Sequence, residues 1–128
     1  MVAPETTPGA MPMIVRNWEG RVPNFKSPEF LRLMREVTIP DYRAIAGNRG
    51  AWCLHRHEGP VTRIRMVSHW ESWDAVRAFA GDDISRPRKY DFDADFLIEI
   101  PETVEHWEMQ DGRSAAAAAV DHQRRVSR

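Results

Sequence analysis

The sequence predicts an α+β fold in which four antiparallel strands form one sheet and two helices cover one of its faces. Three observations carry this reading. Short runs rich in β-branched and aromatic residues alternate with stretches whose apolar residues recur at three- and four-residue spacing. Their order is strand, helix, strand, strand, helix, strand. The two middle strands are separated only by Glu58-Gly59-Pro60, a connection suited to an antiparallel hairpin.

Met13-Ile14-Val15-Arg16-Asn17-Trp18 reads as the first strand, closed by Gly20, with Pro23 and Pro28 marking the loop that follows. Phe30, Leu31, Met34 and Val37 then make an apolar stripe opposite Arg32, Arg35 and Glu36, so a helix is predicted from Ser27. Ser27 is a suitable N-cap, Pro28 suits the first helical position, and Pro40 interrupts the pattern before a further turn at Asp41-Tyr42. After the turn cluster Gly47-Asn48-Arg49-Gly50, residues 51–57 and 61–70 read as the hairpin strands. Trp73, Val76 and Ala80, with Phe79 alongside, predict a short second helix that Gly81 can end. Residues 82–95 are polar and contain Pro87, which predicts an irregular crossover with some helical turns. Residues 96–100 follow, and the alternation over 103–109 supplies the last strand.

This is the βαββαβ, ferredoxin-like plan. Its helices protect one sheet face only, so a chain this small needs cover for the other, and a homodimer through facing sheets supplies it. The domain is assigned to residues 12–109. Residues 1–11, with Pro4, Pro8 and Gly9, and residues 110–128, with an alanine run and a basic end, read as flexible tails.

Composition narrows the function. Of 128 residues, 42% are hydrophobic and 29% charged, and a net charge of −1 gives no electrostatic case for nucleic acid or an anionic membrane. No apolar run approaches the ~20 residues that span a bilayer, and the first dozen residues lack the basic and apolar regions of a secretory signal. Cys53 is the only cysteine, which excludes an intramolecular disulfide, and a cytoplasmic location is expected.

Several segments together resemble a known family: Met13-Ile14-Val15-Arg16-Asn17-Trp18; Pro40-Asp41-Tyr42-Arg43 with Gly47-Asn48-Arg49-Gly50; Trp70-Glu71-Ser72 followed by Val76-Arg77-Ala78-Phe79-Ala80-Gly81; and Val104-Glu105-His106-Trp107-Glu108. In this order and spacing, from Met13 to Met109, they resemble the antibiotic biosynthesis monooxygenase superfamily. The resemblance implies a dimeric α/β barrel. It also implies chemistry: members include monooxygenases that use neither metal nor flavin on polycyclic phenols, and haem-degrading enzymes. No cofactor is therefore expected, and the expected partner is a small hydrophobic or aromatic molecule. The haem-ligand histidine of the latter group falls in Ser85-Arg86-Pro87-Arg88, which holds no histidine, so haem degradation is disfavoured.

Strand parity selects the candidate residues. Val15 and Asn17 share one face of the first strand, Ile64, Met66, Ser68 and Trp70 one face of the third, and Val104 and His106 one face of the fourth. These are assigned to the helix-covered side, as the walls of a pocket. Arg16, Arg65, His69 and Glu105 are assigned to the other side. Asn17 and Trp70 occupy places similar to the pocket asparagine and tryptophan of the haem-degrading members, and an amide beside an aromatic wall can steady an oxyanion. His106 is the candidate base, expected to titrate near neutrality in an apolar strand face. Tyr42, Met66, Ser68, Phe79 and Val15 are expected to touch the substrate. Each has a structural alternative: core packing for Trp70 and Tyr42, backbone satisfaction for Asn17, a hydrogen-bonded core or interface role for His106. His55 and His57 share a strand face at chelating distance, but no third ligand is predictably adjacent, and no metal site is assigned. Arg86, Arg88 and Lys89 read as a solvated basic cluster.

The expected function is a cofactor-independent monooxygenase acting on a small aromatic or polyketide-like substrate between sheet and helices. The alternative is a non-catalytic dimeric ligand-binding or stress-associated module of the same fold.

Overall fold

A computed structural model describes residues 13–110. The flexible tails expected at 1–11 and 110–128 therefore lie outside the described residues, apart from residue 110. Strand β1 spans Met13–Pro23, helix α1 Ser27–Leu33, a π-helical turn Met34–Thr38, and helix α2 Ile39–Arg43. Strands β2 (Asn48–Glu58) and β3 (Val61–Trp70) form the hairpin. Helix α3 (Trp73–Ala80), a four-residue helix α4 (Asp93–Phe96) and strand β4 (Glu105–Met109) complete the chain. The sheet is antiparallel in the order β2-β3-β1-β4, the ferredoxin-like arrangement that the element order predicts.

Two departures from the sequence reading position the site. Strand β1 does not stop at Gly20 but continues to Pro23, because that glycine accommodates a neighbour. A Cβ there would lie 2.5 Å from Trp18 and 2.9 Å from Leu97, so the absent side chain makes room for the indole. The first helix does not break at Pro40 either. The π turn places the wider helical ring just before the proline, with Ile39 N–H donating to the Met34 carbonyl, and Pro40 then sits at the first turn of α2, where its missing N–H is not needed. The wider turn also shifts the stripe by one residue. Val37, expected inward, is 40% exposed, and Thr38 is buried in its place.

Helix α3 follows its sequence signals. The Ser72 hydroxyl caps it by accepting from Ala75 N–H, Val76 and Phe79 turn inward, and Gly81 ends it at φ 92°. The core is a single layer between sheet and helices, built on Ile14, Trp18, Val22, Ile64, Met66 and Trp70 from the sheet and Phe30, Met34, Tyr42, Val76 and Phe79 from the helices.

Residues 84–92 cross over without regular structure. Their backbone groups are met individually rather than by a ladder. Ile84 and Arg86 carbonyls accept from Arg16 at 2.8 Å each, and Ser85 carbonyl accepts from Val104 N–H at 2.9 Å.

Candidate functional site

Burial alternates along β1 so that Ile14, Arg16, Trp18 and Val22 lie inside, leaving Val15, Asn17, Glu19 and Arg21 on the open face. Val15 and Asn17 are thus not on the helix-covered side, and Arg16 is. The assignment of Val15 and Asn17 to a pocket with Trp70 and His106 is corrected accordingly: Asn17 sits between Val67 of β3 and Glu105 of β4, with its Oδ1 buried and without a donor among the described residues. The assignments of Ile64, Met66, Ser68, Trp70 and His106 to the helix side, and of Arg65, His69 and Glu105 to the open side, agree with the strand registers.

Inside, two polar clusters flank an aromatic stack. The stack is Tyr42, Phe79 and Trp70, with ring centroids 4.4 Å apart for Tyr42 and Phe79 and 4.9 Å for Phe79 and Trp70. On one side lies Arg16, 1% exposed. It donates to the carbonyls of Ile84 and Arg86 and to Nε2 of His106 at 2.9 Å, and its guanidinium stands 5.5 Å from the Phe79 ring. Among the described residues it has no carboxylate partner. The adjacent Trp70 Nε1 donates to Ser68 Oγ at 2.8 Å, so the two groups satisfy each other. His106 is half-buried against Trp73, and burial together with the Arg16 charge pushes its pKa down to about 4. It is a weaker base than the near-neutral histidine expected, because its Nε2 lone pair is engaged and a proton there would face a cation.

On the other side of the stack is a partly enclosed cavity. The sheet contributes Trp18 and Met66, the α1–α2 segment Phe30, Met34, Thr38 and Tyr42, the crossover Arg88 and Tyr90, and the start of α4 Asp93. The space left free is ≈ 10 Å³, room for about one water molecule. Its polar groups converge on an apolar floor. Thr38 Oγ1 is buried with no hydrogen-bond partner among the described residues, and the Tyr42 hydroxyl is pushed up to about 12 by burial. Asp93 is 8% exposed, and burial raises its carboxyl above the ordinary carboxylate range. One Asp93 oxygen accepts from Tyr90 N–H at 2.9 Å.

Arg88, read from sequence as solvated, instead donates to Asp41 Oδ2 at 2.9 Å and to the Phe79 carbonyl at 2.8 Å, and its guanidinium lies 4.8 Å from the Phe79 ring. Tyr90 OH donates to the same Asp41 oxygen at 2.5 Å.

Of the expected substrate contacts, Tyr42 and Met66 line this cavity. Phe79 and Ser68 sit behind it, and Val15 is on the far face of the sheet. Of the other lining residues, Arg88 is read from the sequence only as part of a solvated basic cluster, and Thr38, Tyr90 and Asp93 are not among the residues the sequence selects.

The larger depression beside Glu19, Arg21, Glu58 and Glu99 is open to solvent, and its arginines are already paired: Arg63 with Glu19 and Glu58, and Arg21 with Glu99. His57 Nδ1 lies 2.9 Å from Thr62 Oγ1 and 3.0 Å from Asn24 Oδ1, tying the hairpin to the loop after β1.

No protein-family model matches the sequence, and no curated protein does. Solved structures do match. A proposed antibiotic biosynthesis monooxygenase from Nitrosomonas europaea is 19% identical, with 76% of this chain and 89% of that one covered and a TM-score of 0.58. The ActVA-Orf6 monooxygenase of Streptomyces coelicolor, solved in complex with the ligand nanaomycin D, is 16% identical over 85% of this chain and 96% of that one, with a TM-score of 0.53. A protein of unknown function, NE2512 from Nitrosomonas europaea, is 13% identical over 79% and 92%, with a TM-score of 0.59. The resemblance read from the sequence therefore stands at the level of architecture: this chain has the fold of the antibiotic biosynthesis monooxygenase superfamily.

Proposed function

We propose that the protein binds a small hydroxylated aromatic or polyketide-like molecule in the cavity between sheet and helices and oxidises it directly with molecular oxygen. The observation that carries this reading is the cavity lining: an apolar, aromatic floor under Thr38, Tyr42, Arg88 and Asp93, with one hydroxyl lacking a partner and one carboxyl raised by burial. The nanaomycin D complex of the Streptomyces coelicolor protein adds support for a small-molecule site in this fold.

In this reading Asp93 takes the base role expected of His106. Thr38 and Arg88 take the oxyanion-steadying role expected of Asn17, while Trp18, Phe30, Met34 and Met66 form the apolar wall. The Asp93 carboxylate removes the phenolic proton, and the electron-rich ring carbon bonds to oxygen. The hydroperoxide formed loses water to leave a quinone carbonyl. One oxygen atom stays on the product, the other leaves as water, and both reducing electrons come from the substrate.

Self-association through the open sheet face belongs to the same reading, supported by the exposed Trp52 and Trp107 and by Val15 and Val67 between them.

Oxygen uptake in air-saturated buffer with 1-naphthol, 1,5-dihydroxynaphthalene and anthrone, followed with quinone absorbance, is the test. One oxygen consumed per quinone formed is expected, with kcat lowered about 100-fold in Asp93→Asn. Thermal stabilisation by these compounds without oxygen uptake would instead support the second reading, a non-catalytic binding module. That reading is favoured by one feature, the internal hydrogen bonds that occupy Ser68 Oγ, Trp70 Nε1 and His106 Nε2.

A further inference from the structure

We infer that residues 87–91 are a gate over the cavity and that the Asp41 carboxylate is its latch, an inference that rests on reading the cavity as a ligand site. With room for about one water, the cavity admits an aromatic ring only if one wall moves. The walls differ in how they are held. Trp18 and Met66 sit opposite each other in the β1–β3 ladder. Phe30, Met34, Thr38 and Tyr42 are buried on the continuous α1–α2 segment.

The crossover wall has no ladder. Its root, residues 84–86, is fixed by Arg16 and by Val104 N–H. Its far end is fixed by Phe92, whose ring meets Phe30 edge-on at 6.3 Å. Between these points the wall residues Arg88 and Tyr90 reach α2 through one carboxylate, which accepts from Arg88 Nε at 2.9 Å and from Tyr90 OH at 2.5 Å. The other ties of these two residues are the Arg88 bond to the Phe79 carbonyl and two bonds to Asp93, one donated by Tyr90 N–H to its carboxylate and one accepted by the Tyr90 carbonyl from Asp93 N–H. Pro87, at the junction of root and arm, has no N–H to anchor it.

Two donors on one acceptor couple the closure: when Asp41 lets go, Tyr90 loses its side-chain hydrogen bond and Arg88 is left held by the Phe79 carbonyl, so both wall side chains are loosened together. Asp41 thereby sets how fast the cavity opens without touching what is inside it, which makes it a positioning residue.

The test follows hydrogen exchange of the full chain by mass spectrometry, together with stopped-flow tryptophan quenching by 1-naphthol. In Asp41→Asn, amides of residues 88–92 are expected to exchange about tenfold faster while those of β1 and β3 keep their wild-type rates. Association and dissociation of 1-naphthol accelerate by a similar factor, so that its Kd moves by less than about threefold. Tyr90→Phe, which removes one donor and leaves the rest of the arm intact, gives a smaller change in the same direction. It decides the matter if Asp41→Asn loosens the whole sheet. Unchanged exchange at 88–92 in both variants overturns the latch. Faster exchange without any 1-naphthol binding upholds the latch and overturns the ligand reading of the cavity.

Discussion

The two faces of the sheet are drawn from the same four strands and carry opposite surfaces. The covered face sets Ile14, Trp18, Ile64, Met66 and Trp70 against the helices, and the polar groups it admits are almost all occupied: Ser68 by Trp70, and Arg16 by two carbonyls and an imidazole. The open face alternates exposed apolar rings with paired charges, as where Glu19 accepts from both Arg63 and Arg65. The difference teaches where function can reside. An exposed polar atom can be served by water, whereas a buried one without a partner among the described residues, such as Thr38 Oγ1 or Arg16 Nε on the covered face or Asn17 Oδ1 on the other, is kept only at a cost.

The largest expected break in this comparison is Trp70→Ala, which leaves a void in the covered face and should lower unfolding free energy by about 4 kcal/mol, read by urea denaturation. Arg16→Met comes next. It leaves the Ile84 and Arg86 carbonyls without a buried donor, and a loss of about 2 kcal/mol is expected. The same substitution removes the cation beside His106, so the imidazole should titrate above its present value of about 4 when followed by NMR.

A third effect is a pH dependence. His106 is lowered in the folded state from an ordinary 6.5 to about 4, so the unfolded chain binds the proton first. Its contribution is complete above about pH 6.5 and is lost as pH falls toward 4. The difference between wild-type and His106→Gln stability curves should therefore shrink across that window, and a flat difference would mean that His106 is not held neutral.

The smallest effect is on the open face. Trp107→Ser, at a site 62% exposed, should change the stability of a single copy by no more than about 0.5 kcal/mol. Any larger change that grows with protein concentration would locate self-association on that face.

How much of this was legible depends on the element. Strand β3 was readable to its ends, because Ile64, Met66, Ser68 and Trp70 alternate cleanly with Arg63, Arg65 and His69. Strand β1 was not, because ending it near Trp18 leaves one apolar pair in each parity, Ile14 with Trp18 and Met13 with Val15. The continuation past Gly20 resolves the ambiguity. Val22 then joins the inner set and Glu19 and Arg21 the outer one, which sends Arg16 inward and Asn17 outward. The glycine that looked like an end is instead the seat of the Trp18 ring.

The candidate site divides in the same way. Tyr42 and Met66 could be named from their strand and helix periodicity, while Thr38, Arg88 and Asp93 could not. Thr38 turns inward through a π turn that a period of 3.6 does not register, Arg88 belongs to a crossover with no period at all, and Asp93 opens a helix of four residues, too short to show one.

Hydrophobic periodicity and turn chemistry act within a few residues, so the pattern of the chain is enough for the element order, the hairpin and hence the ferredoxin-like plan. The face of β1, the burial of Arg16 and the gathering of Thr38, Asp41, Arg88, Tyr90 and Asp93 about one cavity come instead from the packing of the layers. Those contacts join residues some fifty positions apart, as Asp41 and Tyr90 are, and depend on which buried polar atoms find partners once the layers close.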